Sequence, residues 1–251
     1  MKVKAKICII SIIAAALLLV LLFMLFSTGI LKLNNPSREK YPVRGVDVSS
    51  YQGEIDWEVL SKQGISFAFI KATEGSTHKD SEFDENWENA QQTGLYIGAY
   101  HFFSYDSPGA SQAENFISSV TPAGNMLPPV VDIEFYGDYG SAPAGREEVR
   151  SELNALLTAL EKHYGAKPII YATVRSYNMY IAGEYGDYPI WIRNVFTPPA
   201  LSDGRDWTFW QFSDKGRLEG YVGDESYIDL NVFSGDSAAL SNLCVRSDDI
   251  N

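Results

Sequence analysis

The sequence has few of the residues that disulfide-stabilised, metal-dependent or nucleic-acid-binding proteins need. Only two of its 251 residues are cysteine and three are histidine, and 20 Lys and Arg stand against 32 Asp and Glu. Cys8 lies in an apolar run and Cys244 lies near the C-terminus, so we predict no internal disulfide. The acidic balance argues against a nucleic-acid partner, because neutralising phosphates requires a surplus of basic residues.

Several catalytic and cofactor motifs are also absent from the sequence. There is no HExxH or CxxC pattern, so we expect no metal site and no other cofactor. There is no GxSxG nucleophile elbow and no glycine-rich nucleotide fingerprint. A Ser–His–Asp triad would have to use His78 or His101, and nothing in the sequence supports one.

An almost unbroken apolar run, Ile7 to Phe26, follows three lysines at the N-terminus. As a helix it is long enough to span the ~30 Å hydrocarbon layer of a membrane, and the lysines favour an N-terminus inside the cell. We predict a basic cytoplasmic leader over 1–6, a transmembrane signal anchor over 7–28 and a linker over 29–40. A cleaved signal peptide is the alternative. The rest of the chain is then an extracellular body, held at the cell membrane by one span or secreted.

Short apolar strands alternate with amphipathic stretches from residue 41 onward, which predicts an α/β fold with a mostly parallel sheet. The number of elements fits one (β/α) barrel over 41–235, with a short polar tail over 236–251. The last third has fewer helices, so its closing strands are candidates for antiparallel pairing. We predict strands over 43–48, 66–71, 95–103, 126–135, 168–172, 189–193, 208–213 and 227–233, and helices over 56–63, 83–93, 107–120 and 146–164.

Two carboxylates end the fourth predicted strand. Asp132 and Glu134 are two residues apart, so both side chains point to the same face. Close carboxylates repel when both are ionised, which yields one proton donor beside one anion, as glycoside hydrolysis requires. A solvent-facing pair or a cation site is the alternative. Asp47 and Asp229 also end predicted strands, although the first could cap a turn and the second could form a salt bridge.

Aromatic residues and one glutamine end several of the other predicted strands. Aromatic faces stack on sugar rings, and a glutamine can hydrogen-bond hydroxyl or acetamido groups. For any single residue, a position in the barrel core is the alternative. The predicted substrate-binding residues are Tyr100, Tyr171, Trp191, Trp210 and Gln211.

The body resembles the glycoside hydrolase family 25 lysozymes, which are N-acetylmuramidases. The similar segments follow one another in order along nearly the whole body. They are Gly45-Val46-Asp47-Val48-Ser49, Phe69-Ile70-Lys71-Ala72-Thr73-Glu74-Gly75, Gly98-Ala99-Tyr100-His101-Phe102, Asp132-Ile133-Glu134, Trp191-Ile192, Trp210-Gln211-Phe212-Ser213 and Ile228-Asp229-Leu230-Asn231-Val232-Phe233.

The resemblance implies an irregular, flattened, TIM-barrel-like (β/α) barrel. It implies cleavage of the β-1,4 bond between N-acetylmuramic acid and N-acetylglucosamine in peptidoglycan, and we expect a monomer. By the same resemblance, Glu134 is the general acid that protonates the leaving oxygen. Asp132 holds the 2-acetamido group or stabilises the positive transition state. Asp47 and Asp229 complete the acidic cluster and keep the pKa of Glu134 high.

The sequence departs from the family after Trp191-Ile192, where Arg193-Asn194-Val195 replaces the usual alanine and nearby tyrosine. We expect Arg193 to pair with a neighbouring aspartate rather than with a substrate carboxylate. Two other functions remain open at this point. One is a catalytically silent peptidoglycan-binding module of a cell-envelope assembly, and the other is a related barrel hydrolase that acts on chitin-like glycans.

Overall fold

The computed structural model describes residues 2–29, 31, 34–246 and 250, and its main feature is a closed eight-stranded barrel. Two short two-residue strands, Glu54–Ile55 and Tyr221–Val222, pair beside the barrel, and His78–Lys79 pairs with the end of one barrel strand. The barrel strands, numbered here in chain order, are β1 (Arg44–Val48), β2 (Phe67–Glu74), β3 (Tyr96–Phe102), β4 (Val130–Ile133), β5 (Ile169–Thr173), β6 (Ile190–Arg193), β7 (Phe209–Gly216) and β8 (Ile228–Phe233).

Seven of these strands, β1 to β7, are parallel, and each pairs with the next one along the chain. The last strand, β8, pairs antiparallel with both β7 and β1 and so closes the barrel. Because no crossover helix separates β7 from β8, the chain returns in the opposite direction. The predicted (β/α) barrel and its antiparallel closing strand are therefore confirmed.

The helices predicted over 56–63, 83–93, 107–120 and 146–164 are all present. The longest helix that packs on the barrel is α5 (Arg146–Tyr164), and it is amphipathic: Leu153, Leu156 and Leu160 are buried on one face. It ends at Gly165, which has a left-handed φ of 65°. The helices are α1 (Lys2–Ser27), α2 (Trp57–Ser61), α3 (Phe83–Gln91), α4 (Gly109–Ser119), α5 (Arg146–Tyr164), α6 (Val174–Ser176, continued by a π-helical turn over Tyr177–Ile181) and α7 (Ser237–Ser241), with 3-10 turns at Ser50–Gln52 and Gly137–Gly140.

Two differences from the predicted elements have simple causes. The fourth strand is shorter than predicted, because Pro128 and Pro129 have no N–H to donate to a neighbouring strand. The segment predicted as a polar tail contains α7, whose Leu240 is fully buried against the end of the barrel.

The side-chain alternation of the strands separates two apolar layers. In β2, Phe67 and Phe69 belong to the cluster inside the barrel, whereas Ala68 and Ile70 pack against the helices. Continuing the same alternation, Lys71 points along the barrel interior toward the carboxyl end of the strands. This rule positions the side chains of the site described below.

The N-terminal helix α1 stands apart from both layers. Its segment Lys6–Phe26 has 21 residues, a mean hydropathy of 3.2 and no buried share. By length and composition it could cross a membrane, as either a signal anchor or a signal peptide would.

Candidate active site

A cleft of about 220 Å³ opens at the carboxyl ends of the parallel strands. All four predicted catalytic carboxylates line this cleft. Asp47 is on β1, Asp132 is on β4, Glu134 directly follows β4, and Asp229 is on β8. Four of the five predicted substrate-binding residues line the cleft as well. The lining residues that the sequence predicted are Asp47, Asp132, Glu134, Asp229, Tyr100, Tyr171, Trp191 and Gln211.

Trp210, the fifth predicted substrate-binding residue, is not in the cleft, and this corrects the prediction. Its side chain is 2% exposed and packs in the layer outside the barrel, with its ring centroid 6.2 Å from that of Tyr41 and 5.8 Å from that of Trp207. Consecutive residues of a strand face opposite sides. Since Gln211 points into the cleft, Trp210 must point away from it.

Gln211 is the centre of the hydrogen-bond network beneath the cleft. Its Nε2 donates to Asp47 Oδ1 and Oδ2 over 3.1 and 3.0 Å and to Asp229 Oδ2 over 3.0 Å. Its Oε1 accepts from the Tyr171 hydroxyl over 2.9 Å. The side chain is 1% exposed, so its amide orientation is fixed by partners on three strands.

Asp47 and Asp229 lie opposite each other on β1 and β8 and share a hydrogen bond. Burial raises the pKa of Asp47 to about 6, although donors on Asn231 and Gln211 oppose that rise. Burial and the Asp47 charge raise the pKa of Asp229 well above its usual value. The shared hydrogen bond lowers the pKa of Asp47 and raises that of Asp229, so Asp229 carries the proton and Asp47 accepts it.

Asp132 is the least compensated of the four carboxyls. It is 8% exposed, and its Oδ1 is buried without a hydrogen-bond partner among the described residues. Burial, followed by the charge of Glu134, raises the pKa of Asp132 well above its usual value, and the ammonium of Lys71 opposes the rise. Buried polar atoms are nearly always paired, and Asp132 lines the cleft, so this oxygen is available to accept from a donor that enters the cleft.

Glu134 is partly buried at the end of the same strand. Burial raises its pKa, while the nearby Tyr171 hydroxyl and the positive charge of Arg193 lower it. Arg193 itself donates from Nη2 to Asp214 Oδ2 over 2.8 Å. The predicted pairing of Arg193 with a neighbouring aspartate is confirmed.

Two residues that the sequence analysis did not assign to the site support it directly. Asn231 is fully buried, donates to Asp47 Oδ2 over 2.6 Å and accepts from the Trp191 indole N–H over 2.8 Å. Lys71 lines the cleft and pairs with Glu74 Oε2 over 2.8 Å. Strand alternation could have found both, because Asn231 follows Asp229 by two residues and Lys71 follows Phe69 by two.

His101 has a structural place beside the site. It is fully buried, its Nε2 lies 2.9 Å from Gln112 Oε1, and its Nδ1 lies 2.7 Å from Thr73 Oγ1. Burial lowers its pKa to about 4, so the ring is neutral and both of its nitrogens are occupied. It therefore has no partners for a Ser–His–Asp triad.

The chemistry of the cleft rests on carboxyl groups. Within the described residues, no cluster of three or more His, Cys, Asp or Glu could hold a metal ion. Two coupled carboxyl pairs, with raised pKa values in a partly closed cleft, can instead supply a proton donor beside an anion.

Comparison with known proteins gives consistent matches along the body. The profile described as "Glycosyl hydrolases family 25" matches residues 46–221. Lysozyme M1 of Streptomyces globisporus is 35% identical over 212 residues, which cover 80% of this chain and 71% of that protein. A family 25 glycosyl hydrolase structure from Bacillus anthracis has a TM-score of 0.80 at 50% identity, covering 86% of this chain and 98% of that one. A family 25 lysozyme structure from Aspergillus fumigatus has a TM-score of 0.71 at 30% identity, covering 81% and 99%.

Proposed function

Since the chain belongs to glycosyl hydrolase family 25, we propose that it cleaves the β-1,4 bond between N-acetylmuramic acid and N-acetylglucosamine in peptidoglycan. The observation that carries this proposal is the placement of Asp132 and Glu134 in one cleft, where Asp132 Oδ1 has no hydrogen-bond partner among the described residues. In the proposed reaction Glu134 is the general acid. It protonates the glycosidic oxygen as the bond to the leaving sugar breaks.

The role of Asp132 follows from its unpaired oxygen. Within the part of the chain that the structure describes, no donor reaches Oδ1, and an acetamido N–H of the substrate would supply one. A hydrogen bond to the charged form lowers the pKa of a carboxyl, so bound substrate favours an ionised Asp132. The proton that the coupled pair shares then resides on Glu134, where the leaving oxygen needs it.

This geometry suits a substrate-assisted route. Asp132, two residues before the acid, would orient the acetamido group so that its carbonyl oxygen attacks the anomeric carbon, and water would then open the cyclic intermediate. Substrate assistance is a known exception to the scheme with two catalytic carboxylates. Retention of configuration in the first-formed product, seen by proton NMR, would support the route, and inversion would overturn it.

Asp47 and Asp229 form the supporting carboxyl pair in this proposal. The negative charge of this pair is on Asp47, which accepts hydrogen bonds from Gln211 and Asn231. It opposes ionisation of the nearby Glu134, since the charges of Glu134 and Asp47 repel. Trp191 and Tyr171 form the wall of the cleft, with ring centroids 4.5 Å apart.

The proposed partner is the glycan strand of peptidoglycan, and the second proposed contact is the membrane. We propose that α1 stays attached as a signal anchor, with the barrel outside the cell and acting as a monomer. The enzyme would then work on the part of the wall within reach of the membrane.

A catalytically silent wall-binding module is the alternative, and the intact set of four carboxylates speaks against it. The test is the loss of turbidity of purified walls with the wild type, Glu134→Gln and Glu148→Gln. Glu148 is an exposed residue of α5 and serves as the matched control. Loss of clearing in Glu134→Gln alone supports the proposal, whereas equal binding without clearing by all three proteins supports the silent module. Parallel assays with chitin oligomers distinguish an enzyme that acts on peptidoglycan from one that acts on chitin-like glycans.

A further inference from the structure

A second cavity, of about 250 Å³, lies where the end of α1 meets the barrel. Its apolar lining includes Phe26 and Leu31 from the N-terminal segment and Phe196 from the loop between β6 and β7. We propose that the barrel rests on the outer leaflet of the membrane through these three residues, which we name the membrane-facing patch. The inference rests on the proposed membrane anchoring and adds a fixed orientation to it.

The first step is that hydrogen bonds hold the end of α1 against the barrel. The carbonyl of Thr28 accepts from the Tyr227 hydroxyl over 3.3 Å and from Arg217 Nη2 over 3.5 Å. Asn34, which is 3% exposed, donates from Nδ2 to the carbonyl of Asn194 over 3.0 Å. The barrel is therefore docked at the outer end of the helix.

The second step concerns the depth of the patch in the membrane. The apolar segment Lys6–Phe26 has 21 residues, and at 1.5 Å per residue its length is about 31 Å, close to the hydrocarbon thickness. Phe26 therefore lies at the outer boundary of the hydrocarbon when the helix spans the membrane. Phe196 lines the same cavity as Phe26 and is 66% exposed, so its apolar side chain is close to that boundary. Exposed apolar residues at this depth are typical of membrane-interface contacts.

The third step concerns charge. Nearly all of the 32 acidic residues lie after residue 40, so most of the body would be repelled by anionic headgroups. At the docking site, however, Lys215 lines the cavity and Arg217 binds the end of the helix. The other charged residue of the cavity lining, Asp214, is paired with Arg193. The two cations therefore suit contact with anionic lipid at the docking site, which favours a bilayer over a second acidic copy of the chain.

The orientation has a consequence for the cleft. The cavity includes Asp214 and Lys215 at the carboxyl end of β7, and Asp214 pairs with Arg193 beside Glu134. The membrane-facing patch and the catalytic cleft therefore lie at the same end of the barrel. The glycan strands nearest the membrane are the ones that this arrangement presents to the cleft.

The experiment places a fluorescent label on the full-length chain in vesicles of equal parts phosphatidylcholine and phosphatidylglycerol. The background variant carries Cys8→Ala and Cys244→Ser, so that Phe196→Cys supplies the one thiol. Ser118→Cys is the control, because Ser118 is exposed near the end of α4, at the opposite end of the barrel. A nitroxide near the lipid headgroup reports contact by quenching the label, and thermal unfolding confirms that both variants fold like the background.

We expect the nitroxide lipid to quench most of the Phe196→Cys signal and to leave the Ser118→Cys signal unchanged. Equal quenching at both positions, or none at either, overturns the inference. The label at position 196 could instead be shielded in proportion to protein concentration and not be quenched. That result would mean that a second copy of the chain covers the patch, and it also overturns the inference. The intact mass of the membrane-bound protein distinguishes a failure of the proposed anchoring from a failure of the proposed orientation. Loss of the N-terminal segment refutes the anchoring itself, whereas a retained segment without quenching refutes only the orientation.

Discussion

Asp47 makes the stability of the fold depend on pH in a way that can be calculated. Burial raises its pKa from 3.8 to about 6 in the folded chain. A tenfold change in proton affinity corresponds to about 1.4 kcal/mol, so this rise corresponds to about 3 kcal/mol. The folded carboxyl binds a proton more tightly than the unfolded one. The stabilisation is therefore complete below pH 3.8 and is lost as the pH rises through about 6.

Asp47→Asn removes this titration. Between about pH 3.5 and about pH 7, we expect the free energy of unfolding of the wild type to fall by about 3 kcal/mol more than that of the variant. Any change in the hydrogen bonds to Asn231 and Gln211 shifts the free energy of unfolding of the variant by the same amount at every pH, because asparagine does not titrate. It therefore does not affect the comparison of the two pH dependences.

The assay is urea unfolding of a form that lacks residues 1–33, monitored by tryptophan fluorescence. Asp138→Asn, which removes an exposed carboxyl on a 3-10 turn, is the control and should keep the wild-type pH dependence. If Asp47→Asn and the wild type show the same pH dependence, the reasoning about the buried carboxyl pair is wrong.

Three further predictions follow from single contacts. Asn231→Ala leaves the buried indole N–H of Trp191 without its acceptor, so we expect a loss of about 1–3 kcal/mol in urea unfolding; an unchanged midpoint at unchanged slope would contradict this. Arg193→Gln removes a charge that lowers the pKa of Glu134, so the alkaline limb of kcat/KM for wall hydrolysis should move to higher pH, and movement to lower pH would refute the assignment. Trp210→Phe should leave KM for wall fragments unchanged, because the side chain is outside the cleft; a raised KM in steady-state kinetics would show that it contacts substrate.

Much of the barrel was predictable because its eight strands and its longer helices have strong local signals. The buried leucines of α5 recur at helical spacing, and Gly165 ends the helix where the sequence places it. The apolar strands between turn residues alternate with helices, which leaves few architectures open. The antiparallel direction of β8 was an open possibility that only the strand pairing decides.

The site was predictable to the extent that strand alternation was applied. Gln211 and Trp210 are consecutive, so both could not face the cleft, and the same rule identifies Asn231 from Asp229. Contacts between strands that are distant in the sequence could not be predicted from local sequence patterns. Gln211 reaches Asp47, which is 164 residues away, only because β8 brings β1 and β7 into one sheet.

The docking of the N-terminal segment was not predictable in the same way. The apolar run indicates a membrane span, but the hydrogen bonds from Tyr227 and Arg217 to the carbonyl of Thr28 join residues almost 200 positions apart. A composition argument treats residues 29–40 as a tether, whereas Asn34 is buried against the barrel. Burial of a polar side chain in a linker depends on a partner that only the folded structure supplies.

The most direct test of the central claim is the chemical identity of the sugar ends that the enzyme releases. Purified peptidoglycan is incubated with the wild type and with Glu134→Gln, and the fragments are reduced and analysed by mass spectrometry. We expect fragments that end in reducing N-acetylmuramic acid with the wild type, with the rate lowered by about 10²–10⁴-fold in the variant. Fragments that end in reducing N-acetylglucosamine, or equal release by both proteins, would contradict it.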